Sequence, residues 1–365
     1  MPRGICSLSM TRRARLKVTL PKARESFRRK EKGKGEGKGK ETRPTLPKIL
    51  VTGGAGFIGS HVADLFLDKG CEVHVVDDLS TGKRENVPAK AQFHEISVTS
   101  NPFAQLIREG KFDVIAHLAA QMDVRKSVAD PVNDATINIL GTLNMMEAVR
   151  GSRAGTRVIF TSTGGVLYGD FNTPPNLETY PKDPESPYAI SKLSIELYLA
   201  YYGRVHGLDA VALRFGNVYG PRQDPHGEAG VVAIFCGRIL DNRPLTVFGD
   251  GLQTRDYVYV GDVARAVWVS ATAPMPEKGR LDARAFNIGT GVGTSVLDIA
   301  RKLQRAAGSS LPLEFAPHRP GEQQESFVDV EKARTVLGWT SRVSLEEGLA
   351  TTYQWFAQRM SGAAA

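Results

Sequence analysis

A glycine-rich segment, TGGAGFIGS at residues 52–60, is the feature that most constrains how this chain can fold. It follows a short apolar run, KILVT, and precedes a helical pattern, so it occupies the turn between a strand and a helix. Gly53, Gly56 and Gly59 have the spacing of a dinucleotide-binding turn. Such a turn needs glycine for the tight bend, for close approach of the backbone to a pyrophosphate, and for close helix–strand packing.

The residues after this turn indicate which dinucleotide it binds. Phe57 and Ile58 begin the helix, whose first N–H groups and positive dipole end favour phosphates. Asp77 lies eighteen residues after Gly59, at the end of the next predicted strand, where a carboxylate accepts both ribose hydroxyls and repels a 2′-phosphate. The pattern therefore predicts NAD rather than NADP. A glycine turn with a capping aspartate and no ligand is the alternative.

Strand and helix patterns alternate along the first part of the chain. Helical patterns at about 102–109, 134–149 and 186–203 lie between strands that are almost continuously apolar. The predicted strands lie at 48–52, 71–78, 113–120, 157–163 and 209–215. This alternation predicts an α/β fold with a Rossmann-type doubly wound parallel sheet.

The rhythm changes beyond about Gly220, where shorter strands and helices predict a smaller, mixed α/β portion. We expect a disordered basic extension at 1–46, an NAD-binding Rossmann domain at 47–220, and a mainly C-terminal substrate-binding portion at 221–361.

Charge and composition exclude several classes of protein. The formal net charge is +8, but residues 1–47 hold 15 Lys and Arg against 4 Asp and Glu, which leaves the remainder at −3. Residues 28–43 contain no apolar side chain that could join a core, so we expect disorder there, with nucleic-acid binding as the less favoured alternative. No apolar run approaches the roughly 18–20 residues of a membrane span. Three widely spaced cysteines fit a reducing cytoplasm, and their number and spacing predict neither a disulfide framework nor a cysteine-rich zinc site.

The segment SPYAISK, at 186–192, places Tyr188 and Lys192 one helical turn apart on the same helix face. It follows both the glycine turn and a strand that ends in Ser162 and Thr163. A neighbouring ammonium group favours the phenolate and so lowers the pKa of a tyrosine. These residues form a candidate proton-transfer site, and an ordinary amphipathic-helix pair is the alternative.

At this point the chain resembles the extended short-chain dehydrogenases/reductases, in the NAD-dependent epimerase/dehydratase family. The resemblance extends from about Lys48 to about Phe356. It rests on motifs in family order: TGGAGFIGS, VVDDLSTGKREN, HLAAQMDVRKSV, STGGVLYG, SPYAISK, LRFGNVYGPRQ, FGDGLQTRDYVYVGDV, FNIGTG and HRPGEQQESFVD.

The resemblance implies a role for each matching residue. Tyr188 is the catalytic base and acid, Lys192 tunes it and holds the nicotinamide ribose, and Thr163 completes the triad. The implied cofactor contacts are Gly53, Gly56, Phe57, Ile58, Gly59, Asp77, Asp78, Ser97, Leu118, Ala119, Ala120 and Asn138, besides Tyr188 and Lys192. The implied substrate contacts are Asn217, Arg255, Arg319, Glu322 and Ser326. Arginine forks suit the diphosphate, and carboxylates suit ribose hydroxyls.

Two positions depart from the family pattern. Ser97 stands where relatives often have an acid that accepts the adenine amino group, and it can still accept one hydrogen bond. One family spacing places the triad serine at Gly164, whereas counting back from Tyr188 selects Thr163. We predict Thr163 as the triad hydroxyl, with Ser162 as the substitute.

Two further residues are left out of the chemistry. We expect His117 to be a hydrogen-bonded core residue at a buried strand end. We expect Tyr168 to be a packing or substrate-wall aromatic rather than a second base.

The residues after Thr163 indicate the reaction. Dehydratases of this family carry Asp-Glu there and decarboxylases a Glu nearby, but here Gly164, Gly165 and Val166 follow. A 4-keto sugar that cannot eliminate water can only take its hydride back on the other face. The resemblance therefore implies NAD-dependent C4 epimerisation of a nucleotide sugar, UDP-glucose to UDP-galactose. The alternatives are UDP-N-acetylglucosamine or UDP-glucuronate as the substrate and, less favoured, a non-catalytic NAD-binding sensor.

The resemblance also implies a homodimer, because relatives pair through long helices, here those near 102–109, 134–149 and 186–203. Ser326 matches the position beside the C2 substituent of the sugar. Serine would leave room for an N-acetyl group and offer it a hydroxyl, unless Ser326 merely begins a strand and faces elsewhere.

Overall fold

The computed structural model describes residues 47–152, 155–226, 230–318 and 323–362. The basic extension predicted at 1–46 lies outside these residues. Within them, no helix is both long and apolar enough to cross a membrane.

The five strands predicted for the first part of the chain are all present, and four of them begin and end within one residue of the predicted bounds. The strands are β1 (Lys48–Thr52), β2 (Glu72–Asp77), β3 (Gln92–Glu95), β4 (Val114–His117), β5 (Arg157–Thr163), β6 (Asp209–Phe215), β7 (Asn217–Tyr219), β8 (Leu245–Phe248), β9 (Thr254–Arg255), β10 (Tyr257–Tyr259), β11 (Ala285–Ile288), β12 (Thr294–Ser295), β13 (Leu313–Ala316) and β14 (Glu325–Ser326).

Helices alternate with the longer strands. They are α1 (Phe57–Asp68), α2 (Asn101–Gly110), α3 (Val124–Ala129), α4 (Pro131–Ala135), α5 (Gly141–Arg150), α6 (Pro187–Val205), α7 (Val231–Leu240), α8 (Val260–Thr272), α9 (Val296–Ala307) and α10 (Leu345–Gly362), with short 3₁₀ turns at Arg84–Asn86 and Leu281–Arg284 and π-helical turns at Thr136–Leu140 and Ala333–Leu337.

Seven of these strands form one sheet in the order β11-β6-β5-β4-β1-β2-β3, and every neighbouring pair is parallel. The chain builds outward from β1 to β3 and then crosses to β4 on the other side of β1. This reversal opens a crevice at the carboxyl ends of β1 and β4, which is where doubly wound sheets bind ligands. The predicted fold class is confirmed.

Both faces of the sheet are buried, which explains why its strands are almost continuously apolar. On one face, side chains of α1 and α8 pack against the sheet in a single apolar cluster. On the other face, α2, α5 and α6 do the same. A separate cluster joins α7, α9 and α10 to β8 and β10.

The chain does not divide spatially at residue 220. Strand β11 adds to the edge of the large sheet beside β6, and α8 covers the same face as α1. Both elements follow the predicted boundary in the sequence, so the large sheet and its cover draw on segments from both sides of residue 220. The rhythm shortens because the later strands form small two- and three-stranded sheets, while β11 still pairs with the main one.

Two predicted elements are interrupted or shorter. The helix predicted at 134–149 is divided by the π-helical turn Thr136–Leu140, which lies between α4 and α5. The strand predicted at 113–120 ends at His117, so Leu118–Ala120 form a loop. Both departures fall beside the crevice, and π-helical turns are frequent at functional sites.

Candidate active site

The glycine turn folds back on itself at the carboxyl end of β1. Gly53 has φ +68°, and its N–H donates to the carbonyl of Val76 over 2.8 Å. A Cβ atom at Gly53 would lie 2.7 Å from the Ala119 nitrogen, and one at Gly59 would lie 2.1 Å from the Gly53 carbonyl oxygen. Any side chain at either position would therefore push the turn apart.

Helix α1 begins at Phe57 and Ile58 with an uncapped N-terminus. Gly56 holds the cap position, and no side chain of the described residues caps the helix there. The first N–H groups and the positive dipole end of the helix thus point out of the glycine turn, an arrangement that suits a pyrophosphate. Together with the missing Cβ atoms, this arrangement fits the phosphates of a dinucleotide.

Leu118, Ala119 and Ala120 form the opposite edge of the crevice. The N–H groups of Leu118 and Ala119 both donate to the Thr52 hydroxyl oxygen over 3.2 Å. This holds the loop after β4 against the end of β1, next to the glycine turn.

Asp77 lies at the end of β2 with its carboxylate turned toward the glycine turn. It accepts the N–H of Ala55 at 3.0 Å and that of Leu79 at 2.9 Å. Burial raises its pKa, and the two backbone N–H groups act against that shift. Asp78 is exposed and accepts the hydroxyl and N–H of Ser80.

Asn138 lies in the π-helical turn and is buried. Its amide oxygen accepts the N–H of Gln121, and its amide nitrogen donates to the carbonyl oxygen of Gln121 and to Asp134, all over 2.9 Å. Asn138 thus fixes the loop after Ala120. Ser97 follows β3, is half-buried, and its hydroxyl lies 3.1 Å from that of Thr99.

Lys192 and Tyr188 face the same side of α6. The Lys192 ammonium group is fully enclosed, donates to the Thr161 carbonyl oxygen over 2.8 Å, and lies 5.7 Å from the centre of the Tyr188 ring. Desolvation lowers the pKa of Lys192 to about 8, while Asp134 and Glu196 act in the opposite direction.

The two candidate triad hydroxyls have different surroundings. The Ser162 hydroxyl is buried and donates to Glu196 over 2.5 Å. Thr163 is half-buried, and its hydroxyl accepts the N–H of Gly165 at 3.3 Å. A Cβ built on Gly165 lies 3.9 Å from that hydroxyl and 3.5 Å from the Asn217 amide oxygen, so Thr163 and Asn217 border the same space.

The structure places His117 and Tyr168 in the core. His117 lies 2.8 Å from the Thr52 hydroxyl and 3.0 Å from the Thr142 hydroxyl, and burial lowers its pKa to about 3. The Tyr168 hydroxyl donates to Asn287 and accepts a hydrogen bond from Arg214, and burial raises its pKa. These contacts place both residues in the structural roles expected of them, and Tyr168 is a packing residue rather than a wall of the crevice.

Asn217, Arg255 and Ser326 lie close to the loop that follows Thr163, since Asn217 and Ser326 both approach Gly165 and Arg255 pairs with Ser326. Arg255 in β9 pairs with Ser326 in β14, and β9 also pairs with β12. The Arg255 guanidinium donates to the Thr254 carbonyl oxygen, and within the described part of the chain it forms no ion pair. Arg319 and Glu322, the other two predicted substrate contacts, lie outside the described residues.

Ser326 is buried, and its hydroxyl donates to the Gly165 carbonyl oxygen over 2.9 Å. This contact places Ser326 next to Thr163 and Asn217, as the predicted gate requires. The hydroxyl proton is already engaged, however, so it is not the free donor that the prediction gives to an acetamide.

Three buried carboxylates close to the site were not predicted from the sequence. Asp134 binds Asn138, and Glu196 binds Ser162 and Arg214. Asp256 accepts the N–H groups of Thr290, Gly291 and Val328 and the Thr290 hydroxyl. Glu196 carried one sequence signal, since it lies one turn after Lys192 on the same helix face.

A parallel sheet in this order, with a glycine turn at its switch point and a Tyr–Lys pair beside it, defines a dinucleotide-dependent enzyme of the Rossmann class. The model of the NAD dependent epimerase/dehydratase family matches residues 49–289. The chain belongs to this family, which confirms the resemblance and the predicted dependence on NAD.

Individual relatives match nearly the whole described chain. The UDP-glucose 4-epimerase of Mycolicibacterium smegmatis is 44% identical over 318 residues, which cover 86% of this chain and 99% of that protein. The UDP-glucose 4-epimerase structure from Thermotoga maritima with UDP-glucose has a TM-score of 0.81 at 44% identity, and the match covers 86% of this chain and 99% of the other. The UDP-glucose 4-epimerase structure from Thermus thermophilus in complex with NAD has a TM-score of 0.78 at 43% identity, over 85% and 99%.

Proposed function

We propose that this chain interconverts UDP-glucose and UDP-galactose by NAD-dependent epimerisation at C4. The observation that carries the proposal is the pairing of Lys192 with the Tyr188 ring on α6, 5.7 Å apart, together with a strand that ends at Thr163 and continues as Gly164, Gly165 and Val166. The chain therefore has groups for proton transfer at C4. The loop after Thr163 has no carboxylate that could catalyse the elimination of water from the sugar. The similar UDP-glucose 4-epimerases support the same reaction.

The residues that would hold NAD are those of the crevice. The α1 N-terminus at Gly56, Phe57 and Ile58 would take the pyrophosphate, because its N–H groups are uncapped. Asp77 would accept the adenosine ribose, since each carboxylate oxygen has a lone pair beyond its one backbone hydrogen bond. Asp78 and Ser97 would lie at the adenosine end.

Lys192 would hold the nicotinamide ribose from within its enclosed position. Leu118, Ala119, Ala120 and Asn138 would line the nicotinamide side. Bound nicotinamide supplies a reversible hydride acceptor for C4 of the sugar.

Proton transfer falls to Tyr188. As a phenolate, it would accept the proton of the C4 hydroxyl while the C4 hydrogen leaves as hydride, which gives a 4-keto sugar. Thr163 would donate a hydrogen bond to the C4 oxygen and hold it toward Tyr188. After the sugar turns over, hydride returns to the other face of C4 and Tyr188 returns the proton, so the cycle consumes no oxidant or reductant.

The substrate side would hold the uridine diphosphate. Arg255 would bind a phosphate with its guanidinium fork, and Asn217 would face the sugar beside Thr163. We propose that Arg319 is the second arginine that binds the diphosphate and that Glu322 accepts a hydrogen bond from a ribose hydroxyl. Ser326 is proposed as the residue that leaves room at C2, so that UDP-N-acetylglucosamine would also be a substrate.

We also propose that the chain works as a homodimer in the cytoplasm. Helix α6 presents an apolar face to solvent, with Leu197 52% exposed and Tyr198 and Tyr201 also exposed. Paired with a second copy, this face would be buried. Leu197→Asp should then give a monomer by light scattering, whereas Leu252→Asp, at an exposed leucine far along the chain, should not.

The reaction is tested by incubating the purified protein with UDP-glucose, UDP-galactose, their N-acetylated forms and UDP-glucuronate, with products identified by NMR. We expect UDP-galactose from UDP-glucose, and near-stoichiometric NAD(H) on denaturation because the cycle never requires its release. Conversion of UDP-glucuronate alone would show that UDP-glucuronate, and not UDP-glucose, is the substrate. NAD without any conversion would favour the sensor.

A further inference from the structure

Asp134, at the end of α4, is a buried carboxylate that the proposed mechanism does not use. It accepts three hydrogen bonds, from Gln121 Nε2 at 3.0 Å, from Asn138 Nδ2 at 2.9 Å and from Ser191 Oγ at 2.6 Å. All three donors are neutral, and within the described residues Asp134 forms no ion pair with a basic side chain at 4.0 Å or less. A buried carboxylate usually has a cationic partner.

Lys192 is the buried cation nearest in the chain to a residue that binds Asp134. It directly follows Ser191, whose hydroxyl binds Asp134, and it is fully enclosed. Tyr188 and Glu196 face it on α6, His117 on β4 and Asp134 on α4. From β5 it meets only uncharged groups, the Phe160 ring and the Thr161 carbonyl.

Glu196 cannot serve as the main counter-charge, because Arg214 already neutralises it. The Arg214 guanidinium is itself buried. Its Nε–H donates to both Glu196 oxygens at 3.1 Å, and its Nη2 lies 2.6 Å from Glu196 Oε2. His117 is enclosed between two threonine hydroxyls and neutral near pH 7. Both carboxylates raise the pKa of Lys192, and Asp134 raises it more than Glu196 does.

We propose that Asp134 is the buried counter-charge of Lys192 and, through Ser191, a positioning residue that keeps the ammonium group charged beside Tyr188. The inference rests on the proposed function, in which Lys192 must carry its charge. Burial alone disfavours that charge, and a nearby opposite charge favours it.

Asp134→Asn removes the charge and can keep all three hydrogen bonds. The amide oxygen takes the place of Oδ1, which accepts both Gln121 and Asn138. The amide nitrogen takes the place of Oδ2 and donates to the Ser191 hydroxyl, which changes from donor to acceptor. The variant therefore isolates the charge from the packing.

We expect the alkaline limb of the kcat–pH profile to move to lower pH by about 1–3 units in Asp134→Asn, because Lys192 loses its proton earlier. Between the new limb and the old one, the ratio of variant to wild-type kcat should fall about tenfold per pH unit. Asp130→Asn is the matched control. Asp130 is exposed on the same element and caps α4, and asparagine caps equally well, so its profile should match wild type.

A second readout does not depend on turnover. Lysines labelled with ¹³C at Cε are titrated by NMR in the wild type, with the Lys192 signal assigned by its loss in Lys192→Met. The Lys192 midpoint should fall in Asp134→Asn and stay unchanged in Asp130→Asn. If Asp134→Asn does not fold, Asp134→Ser, which removes the charge and leaves space for water, takes its place in both measurements.

A loss of kcat by one factor at every pH, or an unchanged Lys192 midpoint, would overturn the inference. A wild-type protein that converts no UDP-sugar would refute the proposed function instead. In that case a shifted Lys192 midpoint would still support the pairing of Asp134 with Lys192.

Discussion

The proposed cofactor side of the crevice is built on β1, β2 and β4, whereas the proposed substrate side is built on β7, β9 and β14, strands of only two or three residues. On the cofactor side, parallel ladders of four or five residue pairs fix where each strand ends. On the substrate side, two pairs join β9 to each neighbour, and the buried carboxylate of Asp256 accepts N–H groups from Thr290 and Gly291.

The difference shows two ways to place site residues. A long ladder places Gly53 and Asp77 through many backbone hydrogen bonds, and no single one is decisive. The short ladder that places Arg255 and Ser326 is supplemented by the Asp256 carboxylate, which binds the neighbouring segments at Gly291 and Val328. On the first side, we expect binding to be lost when an added side chain clashes with the backbone. On the second side, we expect it to be weakened when the Asp256 carboxylate is removed.

The largest effect is expected at Gly59 on the cofactor side. Gly59→Ala would bring a Cβ to within 2.1 Å of the Gly53 carbonyl oxygen, and because this contact is with backbone, the turn itself must move. Overpacking of this kind typically costs about 1–3 kcal/mol, and here the contact with backbone places the cost toward the upper end of that range. The purified variant should contain little NAD(H) and have no detectable activity.

The control for Gly59→Ala is Gly151→Ala, at the end of α5, where a Cβ would meet its nearest atom at 3.6 Å. That variant should keep its NAD. Full NAD content in Gly59→Ala would break the claim that this side depends on close backbone contact.

Tyr188→Phe tests the point where the two sides meet. The phenol hydroxyl is the only atom removed, so NAD and UDP-sugar binding should persist while kcat falls by about 10²–10⁴-fold, the usual contribution of a general acid–base group. Equilibrium binding and single-turnover kinetics separate the two effects. Normal turnover in Tyr188→Phe would contradict the proposed mechanism.

On the substrate side, Asp256→Asn places an amide nitrogen against N–H groups that now donate to the carboxylate. Losing a hydrogen bond to a charged group costs about 1.5–3 kcal/mol. We expect KM for UDP-glucose to rise about tenfold while the NAD content stays at the wild-type level, since 1.4 kcal/mol is a factor of ten in an equilibrium constant.

Asp250→Asn is the matched control for Asp256→Asn, because Asp250 is an exposed aspartate nearby in the chain that accepts a single N–H, from Leu252. Loss of NAD in Asp256→Asn, or an equal rise of KM in both variants, would show that the two sides are not held independently.

The smallest effect concerns acid stability on the cofactor side. The pKa of His117 is lowered to about 3 by burial, so the unfolded chain, with a histidine pKa near 6.5, binds this proton first. Its contribution to stability is therefore present above about pH 6.5 and is lost progressively as the pH falls toward 3.

The free energy of unfolding of His117→Asn, measured with denaturant at pH 7, 6 and 5, should depend less steeply on pH than that of the wild type. Below pH 6 the two slopes should differ by up to about 1.4 kcal/mol per pH unit. The neutral tautomer has a complete set of partners. Thr52 donates to Nδ1 because its oxygen accepts two N–H groups, and Nε2–H donates to Thr142, which donates to the Asn138 carbonyl. An unchanged slope would mean that His117 is not kept neutral in the folded state.

The contrast between the two sides also explains what the sequence could predict. The glycine turn, the strand ending in Thr163 and the Tyr188–Lys192 pair are local patterns, readable from spacing within one strand and one helix. The sheet order follows from such strands by the usual rules of doubly wound folds. These features agree with the structure.

Contacts between distant segments could not be read in this way. Nothing near Asp256 in the sequence indicates that it binds Gly291 and Val328, and the pairing of β11 with β6 joins segments on either side of the predicted boundary. Asp134 lay in a helical pattern, where a carboxylate normally faces solvent. Its burial depends on the π-helical turn and on α6, which are tertiary features.

The way Asp256 is bonded has a consequence for how such a protein can diverge over evolutionary time. At Gly291 and Val328 it binds only main-chain N–H groups, which every amino acid except proline provides. Substitutions that change the side chains of those segments therefore leave their attachment intact. A lineage can alter the shape of the sugar pocket one residue at a time while the segments keep their places, provided that the aspartate itself is retained.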